Sequence, residues 1–130
     1  AIRVFHAIRS TFGFGVSIIP RPEEFAHVAT VDVPDSLHHE VFRLTNSIDC
    51  GWWENDGVTA HTEASTFREF KGIKGTRSTS VGDLILLSDG RILLCASVGW
   101  DDITEDATEF WLSEVADHIR SEAAVATATS

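Results

Sequence analysis

The run Asp83-Leu84-Ile85-Leu86-Leu87-Ser88-Asp89-Gly90-Arg91-Ile92-Leu93-Leu94-Cys95-Ala96-Ser97-Val98 carries the strongest local signal in the chain. Two apolar segments flank an Asp-Gly pair, and a two-residue turn of that composition suits a type I′ hairpin, in which both turn residues need positive φ. Almost every residue of both segments is apolar, where a half-exposed strand would alternate. Strands of that kind are covered on both faces, so the hairpin is expected at the centre of its sheet.

Working outward from it, residues 2–8 alternate well enough for a strand, and Phe12-Gly13-Phe14-Gly15 reads as a turn before a second apolar run, Val16 to Ile19. Pro20 and Pro22 interrupt pairing, and Phe25 to Val33 reads as another strand. Pro34-Asp35 is a break and a helix N-cap. Leu37, Val41, Leu44 and Ile48 then form one stripe of an amphipathic helix over about residues 36–48, with Asn46 and Gly51 suited to ending it. Residues 51–76 have little period and read as a long irregular connection with a short strand near Val58. After Gly99, Thr104 caps a second helix over about 104–122, with Ile103, Ala107, Phe110, Trp111, Val115 and Ile119 on its buried side. The fold expected is α+β: a small antiparallel sheet with a central hairpin at 83–98, packed by the two amphipathic helices.

The chain has 130 residues and a formal net charge of -10, room for one domain, taken as residues 1–122 with a frayed tail at 123–130. No apolar run approaches the roughly 20 residues of a spanning helix, and no secretory pattern opens the sequence, so the expectation is a cytoplasmic protein with no membrane partner. Cys50 and Cys95 lack the spacing of a zinc site and read as reduced thiols, a bridge between them being neither required nor excluded. The charge is unevenly placed. Residues 32–67 sum to -6 and residues 101–130 to -7, while residues 1–31 sum to +1 and residues 68–100 to +2.

Val41-Phe42-Arg43-Leu44-Thr45-Asn46, then Arg77-Ser78-Thr79-Ser80-Val81-Gly82-Asp83-Leu84-Ile85, the hairpin and a closing Gly99-Trp100 resemble the YodL-like family of small domains. These are encoded in plasmids, conjugative elements and phage-related regions of prokaryotes. The resemblance lies between residues 28 and 103, and Arg-Ser-x-Ser-Val-x-Asp is its most specific part. It departs from the family at Trp100 and in the 49–75 insert, which has no counterpart. The family has no established activity, so the resemblance implies a setting, an accessory protein of a mobile element or virus, and no catalytic residues.

Four constellations could carry chemistry. Arg77, Ser78, Thr79, Ser80, Gly82 and Asp83 could bind a phosphate or carboxylate, or they could be the turn that a strand entrance needs; turn chemistry is the favoured reading. His38, His39, Asp49, Glu54 and His61 supply metal-ligating atoms without metal-ligand spacing, and no metal or cofactor is expected. Trp52 and Trp53 beside Glu54 suggest one ring in the core and one at a rim, an interface anchor. The acidic helix, with Asp106, Glu109 and Asp117, is either a solvated face or a mimic of a phosphate row. The function expected is therefore non-enzymatic binding of another protein, in its specific form an acidic inhibitor of a nucleic-acid-binding host protein. The alternatives are a small-ligand or phosphate binder, or weak enzyme, using Arg77 to Asp83, and a direct DNA binder using Arg68, Lys71, Lys74 and Arg77. Net negative charge disfavours the last.

Overall fold

The structure, a computed structural model, describes residues 1–8, 20–47 and 51–129. The expected turn at Phe12–Gly15, the apolar run 16–19 and residues Ile48, Asp49 and Cys50 lie outside the described residues. The fold is α+β. Six strands form one antiparallel sheet: β1 (Ile2–Ala7), β2 (Phe25–Val31), β3 (Val58–Ala60), β6 (Leu84–Leu86), β7 (Ile92–Cys95) and β8 (Trp100–Asp102), in the order β3-β2-β1-β6-β7-β8. A separate two-stranded arm is made by β4 (Arg68–Phe70) and β5 (Ile73–Gly75).

The hairpin β6–β7 sits inside the sheet between β1 and β8, and alternate residues serve two cores. Ile85, Leu87 and Leu93 face a layer with Ile2, Val4, Val41 and Trp52, while Leu84, Leu86 and Ile92 face Phe5, Phe25 and Trp111. This is why the two segments lack polar alternation. The turn between them is different from the expected type I′. Gly90 has φ 97°, but Asp89 does not have positive φ. The Gly90 N–H donates to Leu87 O at 3.1 Å and the Leu87 N–H to Arg91 O at 2.9 Å, closing a three-residue loop over Ser88-Asp89-Gly90. Such loops need only one left-handed residue. Asp35 stabilises it from outside, its carboxylate accepting the Ser88 and Asp89 N–H groups at 2.9 and 3.1 Å. Asp35 therefore caps a hairpin, and it makes no side-chain cap to the helical turn in which it lies.

The strand β2 contains a bulge opposite Val4 and Phe5: Ala29 pairs with Val4 and His27 with Phe5, leaving Val28 as the extra residue. A bulge turns neighbouring side chains to one side. Accordingly Val28 and Ala29 both enter the same core, where strict alternation would separate them.

The expected helix at 36–48 is not present as one helix. A single 3-10 turn, Asp35–Leu37, precedes a five-residue α1, Glu40–Leu44. Thr45 ends it: its N–H and hydroxyl both donate to Val41 O, and its own carbonyl accepts the Thr79 N–H at 3.0 Å instead of continuing the helix. The Asn46 side chain takes the Phe42 carbonyl. The second helix is long. α2, Thr104–Thr129, runs beyond the expected end near 122. Its capping carboxylate is that of Asp102, which accepts the Thr104 N–H at 3.0 Å, while the Thr104 hydroxyl accepts the Ile92 N–H of β7. Ala107, Trp111 and His118 are buried, whereas Phe110 and Ile119 of the expected buried side are partly exposed. Trp111 meets Phe5 and Phe25 edge-on at 5.1 and 5.7 Å, and its indole N–H donates to Pro20 O. Among the described residues no helix is long and apolar enough to cross a membrane.

Candidate functional site

The Arg77–Asp83 segment crosses from the arm to β6 and is held at every turn. Asp83, 1 % exposed in its side chain, receives two donors on each oxygen. Oδ1 accepts the Ala7 N–H at 2.9 Å and Arg77 Nη2 at 2.7 Å; Oδ2 accepts the Ser80 N–H at 2.8 Å and Arg77 Nη1 at 2.5 Å. This is a forked pair, the strong form of an arginine–carboxylate contact. Arg77 Nη2 also donates to Ala7 O, and Nη1 to Ser78 O. Ser78 Oγ accepts the Ser47 N–H, and Gly82, with φ 95°, donates its N–H to Cys95 O. The segment thus ties the end of β1, the end of α1 and β7 to the start of β6.

Beneath it lies His6, which the alternation of β1 directs to the same side as Ile2 and Val4. Its side chain is fully buried, with Nε2 2.8 Å from Thr79 Oγ1 and 3.8 Å from Asp83 Oδ2. Nδ1 has no hydrogen-bond partner among the described residues. Burial lowers the His6 pKa to about 4, against an opposing pull from Asp83, and Arg77 lowers it further. His6 is therefore neutral at pH 7. Thr79, His6 and Asp83 resemble the ingredients of a nucleophilic site, yet all three are sealed from solvent and Asp83 has its acceptor positions filled. The arrangement positions a loop and offers no reacting atom to a substrate. His6 was not singled out from the sequence, although its parity with Ile2 and Val4 marks it as a core position.

No family model, curated protein or solved structure matches the chain. Trp52 is fully buried, its indole N–H donating to Arg77 O at 3.0 Å, so it is a core residue and no interface anchor. Trp53 is half-buried and meets Trp52 edge-on at 5.9 Å. Its indole lies against Gly51 and Gly75; a Cβ on either would stand 2.3 or 2.5 Å from the ring. In sequence Trp53 has acidic neighbours, but the fold carries it to the arm, where it lines an open groove with Arg68 and Arg77. Glu54 points away as an exposed residue of the turn Trp52–Glu54.

The basic residues 68–77 do not make one patch. The arm closes on Lys71 (φ 53°) and Gly72 (φ 81°), the two-residue turn with paired positive φ that the sequence had suggested for Asp89-Gly90. Register places Arg68 opposite Gly75 and Glu69 opposite Lys74, so Lys74 shares the far face with an acid while Arg77 is held by Asp83. The described members of the expected metal-ligating set are dispersed as well, Asp49 lying outside the described residues. His38 Nδ1 is 3.0 Å from Asp35 O, His39 is exposed beside Glu40, and His61 Nε2 is 2.9 Å from Thr30 Oγ1 with its ring 4.3 Å from His27. Among the described residues no three His, Cys, Asp or Glu side chains could hold a metal ion together. Cys95 is a free, buried thiol whose pKa burial and Asp83 push up to about 11.

Asp101, Asp102, Glu105, Asp106 and Glu109 are all exposed, and no basic residue occurs between 101 and 109. They form an acidic pole where β8 meets the start of α2. Asp117, two turns on, is tied to Arg3 at 3.0 Å and lies outside that pole.

Proposed function

We propose that the chain is a non-enzymatic accessory protein of a mobile genetic element, acting by binding a host protein with a basic surface. The reading is carried by the acidic pole: five exposed carboxylates of β8 and the first turns of α2, in a segment without a basic residue, with Arg91 near Asp102 and Arg21 over Phe110 at its borders. A strand edge followed by a helix start fixes the spacing of these charges, and a surface with an excess of one sign steers and selects a partner of opposite sign. A nucleic-acid-binding protein is the partner class such a row fits best, since the carboxylates can stand where phosphates would. Two features support the non-enzymatic part: Asp83 has all its acceptor positions filled, and His6 and Thr79 are sealed.

Immobilised protein is incubated with lysate of the source cell at about 0.05 M and about 0.5 M salt, concentrations that bracket strong and weak screening. A basic protein retained at low salt, released at high salt, and not retained by the Glu105→Lys/Glu109→Lys variant is the expected outcome. Retention that ignores both salt and charge reversal refutes the acidic pole as the binding surface.

A further inference from the structure

The arm β4–β5 and the end of β1 enclose an open groove of about 680 Å³, within the size range of small-molecule sites. Its walls are apolar: Ala7, Ile8, Trp53 and Ile73. Ile73 is 62 % exposed and Ile8 49 %, so two large aliphatic side chains stand in water beside the indole edge. At the rim are Arg68, Arg77, Thr66 and Thr76. Arg77 is already neutralised by Asp83. Arg68 is not: among the described residues no carboxylate lies within ion-pair distance of it, and Glu69 belongs to the opposite face of the arm. Its guanidinium is nonetheless held in place, Nη1 donating to the Ser65 and Phe67 carbonyls at 2.6 and 3.1 Å. Nη2 and Nε have no acceptor among the described residues, and these two form the flat edge that matches a carboxylate. Thr66 adds a buried hydroxyl without a hydrogen-bond partner among the described residues.

We propose that this groove binds an organic monocarboxylate with a flat or branched apolar body, the head on Arg68 and the body against Trp53, Ile8 and Ile73. The charge count selects the class. One uncompensated guanidinium balances one negative charge, and with Arg77 already paired to Asp83 the groove has no second cation for a phosphate dianion. The same chemistry is presented by a free acid and by the C-terminal residue of a polypeptide. The inference is independent of the acidic pole.

The test uses the full chain labelled with nitrogen-15 and follows the Trp53 indole N–H and the Arg68 Nε–H. 4-Phenylbutyrate is expected to shift both signals, and its neutral amide to bind roughly tenfold more weakly, the scale of one charge-assisted hydrogen-bonded pair. The exposed Arg68→Gln replacement, its fold checked by the unchanged remainder of the spectrum, should bring acid and amide to equal affinity, and Ile73→Asp should weaken both. Acetyl-Ala-Leu-Phe with a free C-terminus, compared with its amidated form, separates the two sources. Tighter binding of the free-acid peptide than of phenylbutyrate assigns a polypeptide terminus, and no gain assigns a free acid. Equal binding of acid and amide by the unaltered protein, shifts confined to other residues, or no shift at millimolar acid would overturn the proposal.

Discussion

Two buried side chains, His6 and Asp83, show how differently single residues of this protein are supplied with hydrogen-bond partners. Asp83 is surrounded by donors, whereas His6 has a single hydrogen-bond partner, Thr79 on Nε2, and none on Nδ1 among the described residues. Burial holds His6 at a pKa of about 4, and His27, half-buried, is lowered to about 4 as well by desolvation and by the neighbouring His61 and Arg3. An unfolded imidazole titrates near 6.5. Between those values the unfolded chain binds protons that the folded protein refuses, so stability is full above about pH 6.5 and falls as pH drops toward 4. For His6 alone the limiting loss is about 3 kcal/mol. Urea unfolding at pH 7, 6, 5.5 and 5 should show the decline, and His6→Phe should flatten part of it; a profile already level across that range contradicts the assignment. The two imidazoles were legible only as members of strand patterns. Sequence parity places them on strands, but the absence, among the described residues, of a partner at Nδ1 of His6 or Nε2 of His27 depends on atoms far away in the chain.

At the level of elements, the hairpin 83–98 was legible because its signal is local: two apolar runs and a Gly that must turn. Its turn type was not, because the preference for the three-residue loop is reinforced by Asp35, more than fifty residues upstream. Asp35→Ala should therefore destabilise the protein by about 1–3 kcal/mol, the range for buried or charged hydrogen bonds left unmade. Thermal unfolding measures it, with Ser36→Ala as the neighbouring control; a change confined to a few tenths would mean that the loop stands without its cap. The failure of the expected helix 36–48 has a similar origin. The apolar spacing of Leu37, Val41 and Leu44 is helical, yet the carbonyl of Thr45 is claimed by Thr79, and a tertiary hydrogen bond outweighs the weak propensity for one more turn. The arm β4–β5 escaped notice because its three-residue strands are too short to show a period, and Lys at a left-handed turn position carries little sequence signal. The groove could not be read either, since Trp53 has acids beside it in sequence and Arg68 and Arg77 beside it in space.

For the whole molecule the net charge of -10 sets a background of self-repulsion, concentrated in the pole at β8 and α2. Salt should relieve it. Raising sodium chloride from about 0.02 M to about 0.3 M is expected to increase Tm by a few degrees, as charges beyond a Debye length cease to interact. A Tm that falls over this range would place the dominant ion pairs, such as Arg3 with Asp117, above the repulsion. The acids also protect the sheet: Asp101 and Asp102 lie on its outermost strand, where charge discourages pairing with a foreign edge. At the opposite border β3 is only three residues long. The position of β1 has a different consequence. It is central, pairing with β2 on one side and, through Arg3 with Leu86, with β6 on the other. During synthesis β1 emerges well before β6, leaving one of its hydrogen-bonding edges open until most of the chain has been made. Closure of the sheet is then a late, long-range event with a large entropy of loop closure, the signature of slow and all-or-none folding. A nascent chain paused before residue 84 would expose the apolar flank of β1, and chaperone engagement is expected to be concentrated in that interval.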